Sequence, residues 1–272
     1  MYHFADGHDV EHLPRPSWLF TLLEPVRLPA ELSSSLAIDT LVPDSELGRG
    51  RPVLALPGFS ADDLMTARLR GHLRKHGFAV HGWGLGRNHG LTDQLVDGLL
   101  DRFDALADRH GEPVSVVGWS FGGLLARWLA HQRPGQVRQV VCLGSPWRAE
   151  GEITRTTPLF ERAARRHGLS ERARDIVAQL RGPLPVPLTV LWSRTDGIVN
   201  WRGCVVDTAA GGAPTDNIAV PSSHAGLPAN PLALAAVTDR LAQDDPWHPA
   251  DFSWRTALQS LVPGRRLPEA HS

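Results

Sequence analysis

The segment Gly118-Trp119-Ser120-Phe121-Gly122 has residue types and spacing suited to covalent catalysis. A serine hydroxyl attacks a carbonyl only if a base removes its proton and the backbone presents it clear of its surroundings. The pattern G-x-S-x-G meets the second need. Glycines two residues either side of the serine lack the Cβ atoms that would collide inside a sharp strand-to-helix turn. A helix opening at this serine also directs unbonded N–H groups toward a developing oxyanion.

Elements of the right kind surround the motif. Residues 113–117 read as a β-strand and 121–132 as a helix stopped near Pro134, so Ser120 falls at the junction. From about residue 50 onward, β-rich runs alternate with helical patterns, the signature of an α/β domain with a mostly parallel sheet. Strands are expected at 52–56, 78–83, 137–143, 186–192 and 217–220, which makes about six in all. Helices are expected at 62–77, 91–110 and 231–243, with helices on both faces of the sheet. Residues 157–180 read as one or two amphipathic helices broken at Gly168, a small helical cap inserted at about 147–185. Residues 1–49 form an N-terminal extension expected to pack on the core of a domain spanning 50–272. Residues 1–45 give a short helix candidate and irregular chain, and the most apolar run, 18–23, is expected to dock on the core. The tail's Trp247, Phe252 and Trp254 suggest packing onto the body.

The motif, with Leu56-Pro57-Gly58-Phe59 and acidic and histidine loops downstream, resembles the α/β-hydrolase superfamily, most closely its lipase and esterase branch. The resemblance covers roughly residues 50–243. It implies the chain order Ser, Asp, His, with each residue just beyond a strand. Asp196 and His224 stand in such loops, so Ser120, His224 and Asp196 are the expected nucleophile, base and orienting acid, with Asp207 and Asp216 as alternative acids. His81 and His89 precede the serine and are expected to line a pocket at most. The implied oxyanion hole takes its N–H groups from Phe121 and from Phe59, with Gly58 the alternative to the latter. Pro57 departs from the His-Gly pattern common in similar proteins, though it is not at the donating position. Trp119, Trp147 and His89 are the expected substrate contacts. Gly144-Ser145-Pro146-Trp147 is similar to a turn of bacterial lipases.

These features imply cleavage of a carboxylic ester with a lipophilic or acyl-chain group. A thioesterase, acyltransferase or peptidase on the same residues is the alternative, and a non-catalytic binding module is a more distant one. Composition sets further bounds. The chain has 272 residues, 42% apolar and 21% charged, with 28 basic against 29 acidic side chains, and Lys75 is its only lysine. That balance gives no electrostatic footprint for nucleic acid. The Gly82-Trp83-Gly84-Leu85-Gly86 stretch lacks the spacing of a dinucleotide loop. No Cys/His cluster has metal-ligand spacing, so neither a metal nor a cofactor is expected. Cys142 and Cys204 are expected as two isolated structural thiols, a single bridge being the alternative. Arg155, Arg162, Arg165, Arg166, Arg172 and Arg174 alternate with Glu161, Glu171 and Asp175, the pattern of a solvated helix face. Residues 1–16 lack the features of a secretory signal, and no apolar run is long enough to span a bilayer, so the expectation is a cytoplasmic protein, with peripheral membrane association open. The sequence carries no sign of oligomeric state.

Overall fold

The computed structural model describes residues 13–147, 157–180, 182–207, 212–244 and 247. Six strands form one sheet: β1 (Pro52–Leu56), β2 (Ala79–Gly82), β3 (Val114–Trp119), β4 (Val137–Leu143), β5 (Leu188–Trp192) and β6 (Thr215–Ala219). The order is β2-β1-β3-β4-β5-β6, and every pairing is parallel. Parallel strands need crossovers, and helices supply them. The helices are α1 (Trp18–Leu41), α2 (Ala67–Lys75), α3 (Asp93–His110), α4 (Phe121–Gln132), α5 (Thr157–His167), α6 (Ala173–Gln179) and α7 (Pro231–Ala242). This is the α/β-hydrolase fold.

Strand alternation divides the interior in two. Leu54 and Leu56 face α3 and α4, with Leu99, Phe103, Leu125 and Leu129 in that layer. Val53 and Ala55 face α2 and α7, with Leu69, Leu73, Val237 and Leu241. The strands are buried on both sides, which explains their near-continuous apolar runs.

Register sets the height of the site. Leu56 pairs with Gly118, Trp119 with Leu143, Leu143 with Leu191, and Trp192 with Ala219. The loops after these strands therefore leave one edge at nearly one level. The strand order also reverses direction between β1 and β3. Ligand crevices of open α/β sheets form at such a switch point, outside the carboxyl ends. The Gly58–Phe59 turn follows β1 and Ser120 follows β3, so both stand there.

Two of the expected helices need correction. The helix expected over 62–77 begins only at Ala67, because Asp62 and Asp63 spend their acceptors on turns. Asp62 accepts from the N–H groups of Leu64 and Met65, and Asp63 accepts from those of Trp83 and Gly84 in the next loop. Leu64 and Met65, within the expected span but outside α2, are exposed. In place of the short helix and irregular chain expected within 1–45 stands a 24-residue helix, α1, that carries Pro25 and Pro29 inside it. Its apolar run is not what docks: Trp18, Leu22 and Val26 are exposed, whereas Glu24 and Ser35 are buried. Cys142 and Cys204 are free and buried. Burial pushes the Cys142 thiol up to about 11 and raises that of Cys204 as well. Trp247 is buried, while Arg155, Phe252, Trp254 and the first twelve residues lie outside the described residues. Among the described residues, no helix is long and apolar enough to cross a membrane.

Candidate active site

Ser120 occupies the N-cap of α4 with φ 54° and ψ −121°, a backbone state that costs energy for any residue with a Cβ. Its surroundings fix that state. The Ser120 N–H donates to the Leu143 carbonyl at 2.8 Å, and its carbonyl accepts from Gly123 N at 3.0 Å. The flanking glycines are demanded by contact. A Cβ at Gly118 would lie 2.3 Å from the Gly122 oxygen, and one at Gly122 would lie 2.4 Å from the Leu56 oxygen.

The structure brings the Asp196 and His224 loops to this turn. Ser120 Oγ lies 2.9 Å from His224 Nε2, and His224 Nδ1 lies 2.7 Å from Asp196 Oδ2. A carboxylate only accepts, so Nδ1 carries the proton toward Asp196 and Nε2 is left free to accept from the serine hydroxyl. The other Asp196 oxygen accepts from the N–H groups of Ile198 at 2.8 Å and Val199 at 2.7 Å. Asp196 and His224 are both buried. Burial pushes the His224 imidazole down, but the Asp196 charge and hydrogen bond, with the Glu24 charge, raise it overall above the ordinary value. Asp216, one alternative acid, lies near the start of β6 and pairs with Arg240.

The remaining expected residues fall into two groups. A Cβ on Gly58 would stand 3.2 Å from that of Ser120, so the Gly58–Phe59 turn abuts the serine. Neither Phe59 nor Phe121 donates its backbone N–H to a described acceptor in a turn, loop or cap. Their rings lie 6.4 Å apart, and Phe160 of α5 contacts both, at 5.4 and 5.5 Å. Of the expected substrate contacts, Trp119 adjoins the base, its ring 5.9 Å from that of His224, while Trp147 and His89 are held by other partners. Trp119 is buried behind the base, its indole N–H donating to the His224 carbonyl at 2.9 Å. Trp147 donates to the Val205 carbonyl and lies under the Arg127 guanidinium. His89 stacks on His167 at the end of α5, with ring centroids 4.2 Å apart.

Two residues at the site, Phe160 and Glu24, were missed in the sequence. Asn88 was read only as part of the loop 86–90, which follows a strand on the catalytic edge and could hydrogen-bond around the site. Asn88 is fully buried and bonds the Pro57 carbonyl through its side chain, while its backbone pairs with Ser60 and Ala61. It thereby pins the turn that carries Phe59, and its loop, 86–90, had at least the right position to suggest this. Phe160 was hidden among the apolar positions of an amphipathic helix. Glu24 gave no signal at all, since its partners lie 173 to 201 residues away.

No family model matches the chain. Over 105 residues it is 34% identical to Lipase LipV of Mycobacterium tuberculosis, covering 38% of this chain and 40% of that protein. Over 114 residues it is 30% identical to the pimeloyl-[acyl-carrier protein] methyl ester esterase of Shewanella woodyi, covering 42% and 41%. The chain thus spans about two fifths of the length of these curated relatives. Among solved structures it superposes on Aspergillus fumigatus lipase B with a TM-score of 0.60 and 18% identity, covering 84% of this chain and 62% of that one. Fold and site define the class: the chain has the α/β-hydrolase fold. The proteins it resembles within that fold are lipases and esterases.

Proposed function

We propose that the chain is a serine esterase that cleaves a carboxylic ester bearing a lipophilic or acyl-chain group. The observation that carries this reading is the relay from Ser120 through His224 to Asp196, with contacts of 2.9 and 2.7 Å. Ser120 Oγ attacks the ester carbonyl while His224 Nε2 takes its proton, and Asp196 stabilises the imidazolium. The N–H groups of Phe59 and Phe121 receive the carbonyl oxygen as it gains charge. Collapse breaks the C–O bond, and Nε2 returns its proton to the leaving alcohol. Water then attacks the acyl-enzyme and gives a proton to Nε2, which passes to Ser120 as the acid departs. Relatives named as a lipase and a methyl ester esterase support an ester over other acyl substrates. The aromatic surround of Phe59, Phe121 and Phe160 supports an apolar acyl or alkyl group.

A fluorophosphonate probe tests the nucleophile. Wild type is expected to label and Ser120→Ala not to; equal labelling of the two overturns the assignment. Nitrophenyl esters of increasing acyl length, run beside thioesters and aminoacyl amides, test the bond cleaved. Turnover is expected to be fastest on the esters, and turnover confined to the amides overturns the ester assignment.

A further inference from the structure

The loops carrying Asp196 and His224 leave the ends of β5 and β6, where ladder hydrogen bonding stops. Buried N–H groups in such loops still need acceptors. Glu24 of α1 supplies them. One of its oxygens accepts from Gly197 N at 2.9 Å and from His224 N at 2.8 Å, and the other accepts from Ala225 N at 2.9 Å. One buried carboxylate therefore holds the residue after the acid, the base itself and the residue after the base.

The rest of α1 fits around that contact. Thr21 Oγ1 donates to the Gly197 carbonyl at 2.6 Å, and Arg27 donates to the Thr195 carbonyl at 2.7 Å. Glu31 accepts from Ser223 N at 2.8 Å and from Ser223 Oγ at 2.7 Å. Backbone lies against backbone: a Cβ on Gly197 would stand 2.5 Å from the Phe20 carbonyl. A Cβ on Gly226 would overlap the Glu31 carboxylate, at 1.3 Å. The two loops thus carry glycine where α1 comes closest.

We propose that Glu24 is a positioning residue that fixes the histidine loop against the acid loop and adds a second negative charge behind the imidazole. This rests on reading Ser120, His224 and Asp196 as the catalytic set. A one-point tether across two loops sets the distance that the proton relay depends on, and small misplacements at such a relay cost rate rather than affinity. Among the described residues, the charged and titratable groups around the two loops include Asp196, Arg15, Arg194 and Arg202 at Trp201, Cys204, and Glu24, Arg27 and Glu31 of α1. Of these, Asp196 and Glu24 hold the imidazole up.

Two variants separate reach from charge. Glu24→Gln keeps the length and loses the charge, and its amide N–H faces the N–H of Ala225. Glu24→Asp keeps the charge and loses the reach. Active enzyme is counted by fluorophosphonate titration, so kcat is read per labelled site whatever fraction folds. The position of the acid limb of kcat/KM is likewise independent of that fraction. Glu24→Gln is expected to lower kcat about 10-fold with KM within about 2-fold. It also moves the acid limb to lower pH by about half a unit, because loss of a nearby negative charge disfavours the imidazolium. Glu24→Asp lowers kcat but leaves the limb in place. Leu22→Ala, on the exposed side of α1, changes neither. Wild-type kcat and limb in Glu24→Gln, or a reduced count of labelled sites with unchanged per-site values, overturn the proposal while Ser120 labelling stands. Loss of the labelling difference between wild type and Ser120→Ala instead overturns the catalytic reading, and this proposal with it.

Discussion

Ser120 keeps a left-handed φ of 54° because neighbours on three sides leave its turn no other path. Gly122 makes this testable. An added methyl there would lie 2.4 Å from the Leu56 oxygen and 2.7 Å from the Pro57 oxygen, and backbone atoms cannot turn away as a side chain can. Gly122→Ala is expected to cost about 2–4 kcal/mol, read as a lower urea midpoint, and to slow fluorophosphonate labelling sharply. Gly135→Ala, whose methyl would meet nothing within 4 Å, should leave both unchanged. An unaltered midpoint in Gly122→Ala would mean that the turn relaxes freely. At this scale the sequence was informative where chemistry and turn geometry coincide. A serine between glycines at a strand–helix junction, and Asp and His in small-residue loops, are local patterns, and the fold brings all three within hydrogen-bond distance. Glu24 was not legible because its importance lies in contacts with two distant loops, which no local pattern records, and Asn88 was legible only through the position of its loop.

At the scale of elements, α4 and β4 match their expected spans, and α3 starts two residues late, because caps and apolar period agree there. Thr92 accepts from Leu95 N at the start of α3, and Gly111 closes it in a left-handed conformation. Helix α1 was illegible for the opposite reason: it carries two prolines, and it buries Glu24 and Ser35 while exposing Trp18, Leu22 and Val26, with Val26 69% exposed. Side chains other than its apolar run join it to α2. His72 Nδ1 lies 2.8 Å from Asp39 and Arg68 bonds Ser35, while beyond both helices Ser45 Oγ lies 2.7 Å from His76 Nδ1. Burial pushes His76 down to about 4, helped by His72 and Lys75 and opposed by Asp39 and Asp44. Between pH 6.5 and about 4 the unfolded chain binds a proton at His76 that the folded chain refuses. The stability from this group is therefore complete above pH 6.5 and is lost as pH falls through about 4. Asp39, held down at about 2 by His72 and Arg68 against the effect of burial, acts in a lower window, below its ordinary 3.8. Thermal melts across pH should show His76→Gln reducing the fall between pH 6.5 and 4, to which His81 and His131 also contribute, while keeping the fall below it. A parallel pair of curves would place the acid sensitivity elsewhere.

At the scale of the whole molecule, the sheet supplies one row of loops and helices from distant parts of the chain close around them. Helix α1 reaches the loops of β5 and β6, while α5 reaches the opposite side, where Phe160 meets Phe59 beyond β1 and Phe121 at the head of α4. The interior that positions the site was legible as alternating strand and helix patterns. Which inserted helix touches which loop was not, because amphipathic periodicity shows a buried face without naming its partner. Phe160 is the contact that joins α5 to both flanks of the proposed oxyanion hole. Each aromatic pair of this kind contributes about 0.5–1.5 kcal/mol beyond buried area. Phe160→Ala removes two such pairs and opens the apolar wall beside Ser120. Its expected effect is a rise in KM of about 10-fold for a long-chain nitrophenyl ester, with KM for the acetate ester changed less than about 2-fold. The chain-length preference should therefore flatten through binding, while labelling of Ser120 by a small fluorophosphonate persists. An equal rise in KM across all chain lengths would mean that Phe160 only holds α5 in place and does not face the acyl group.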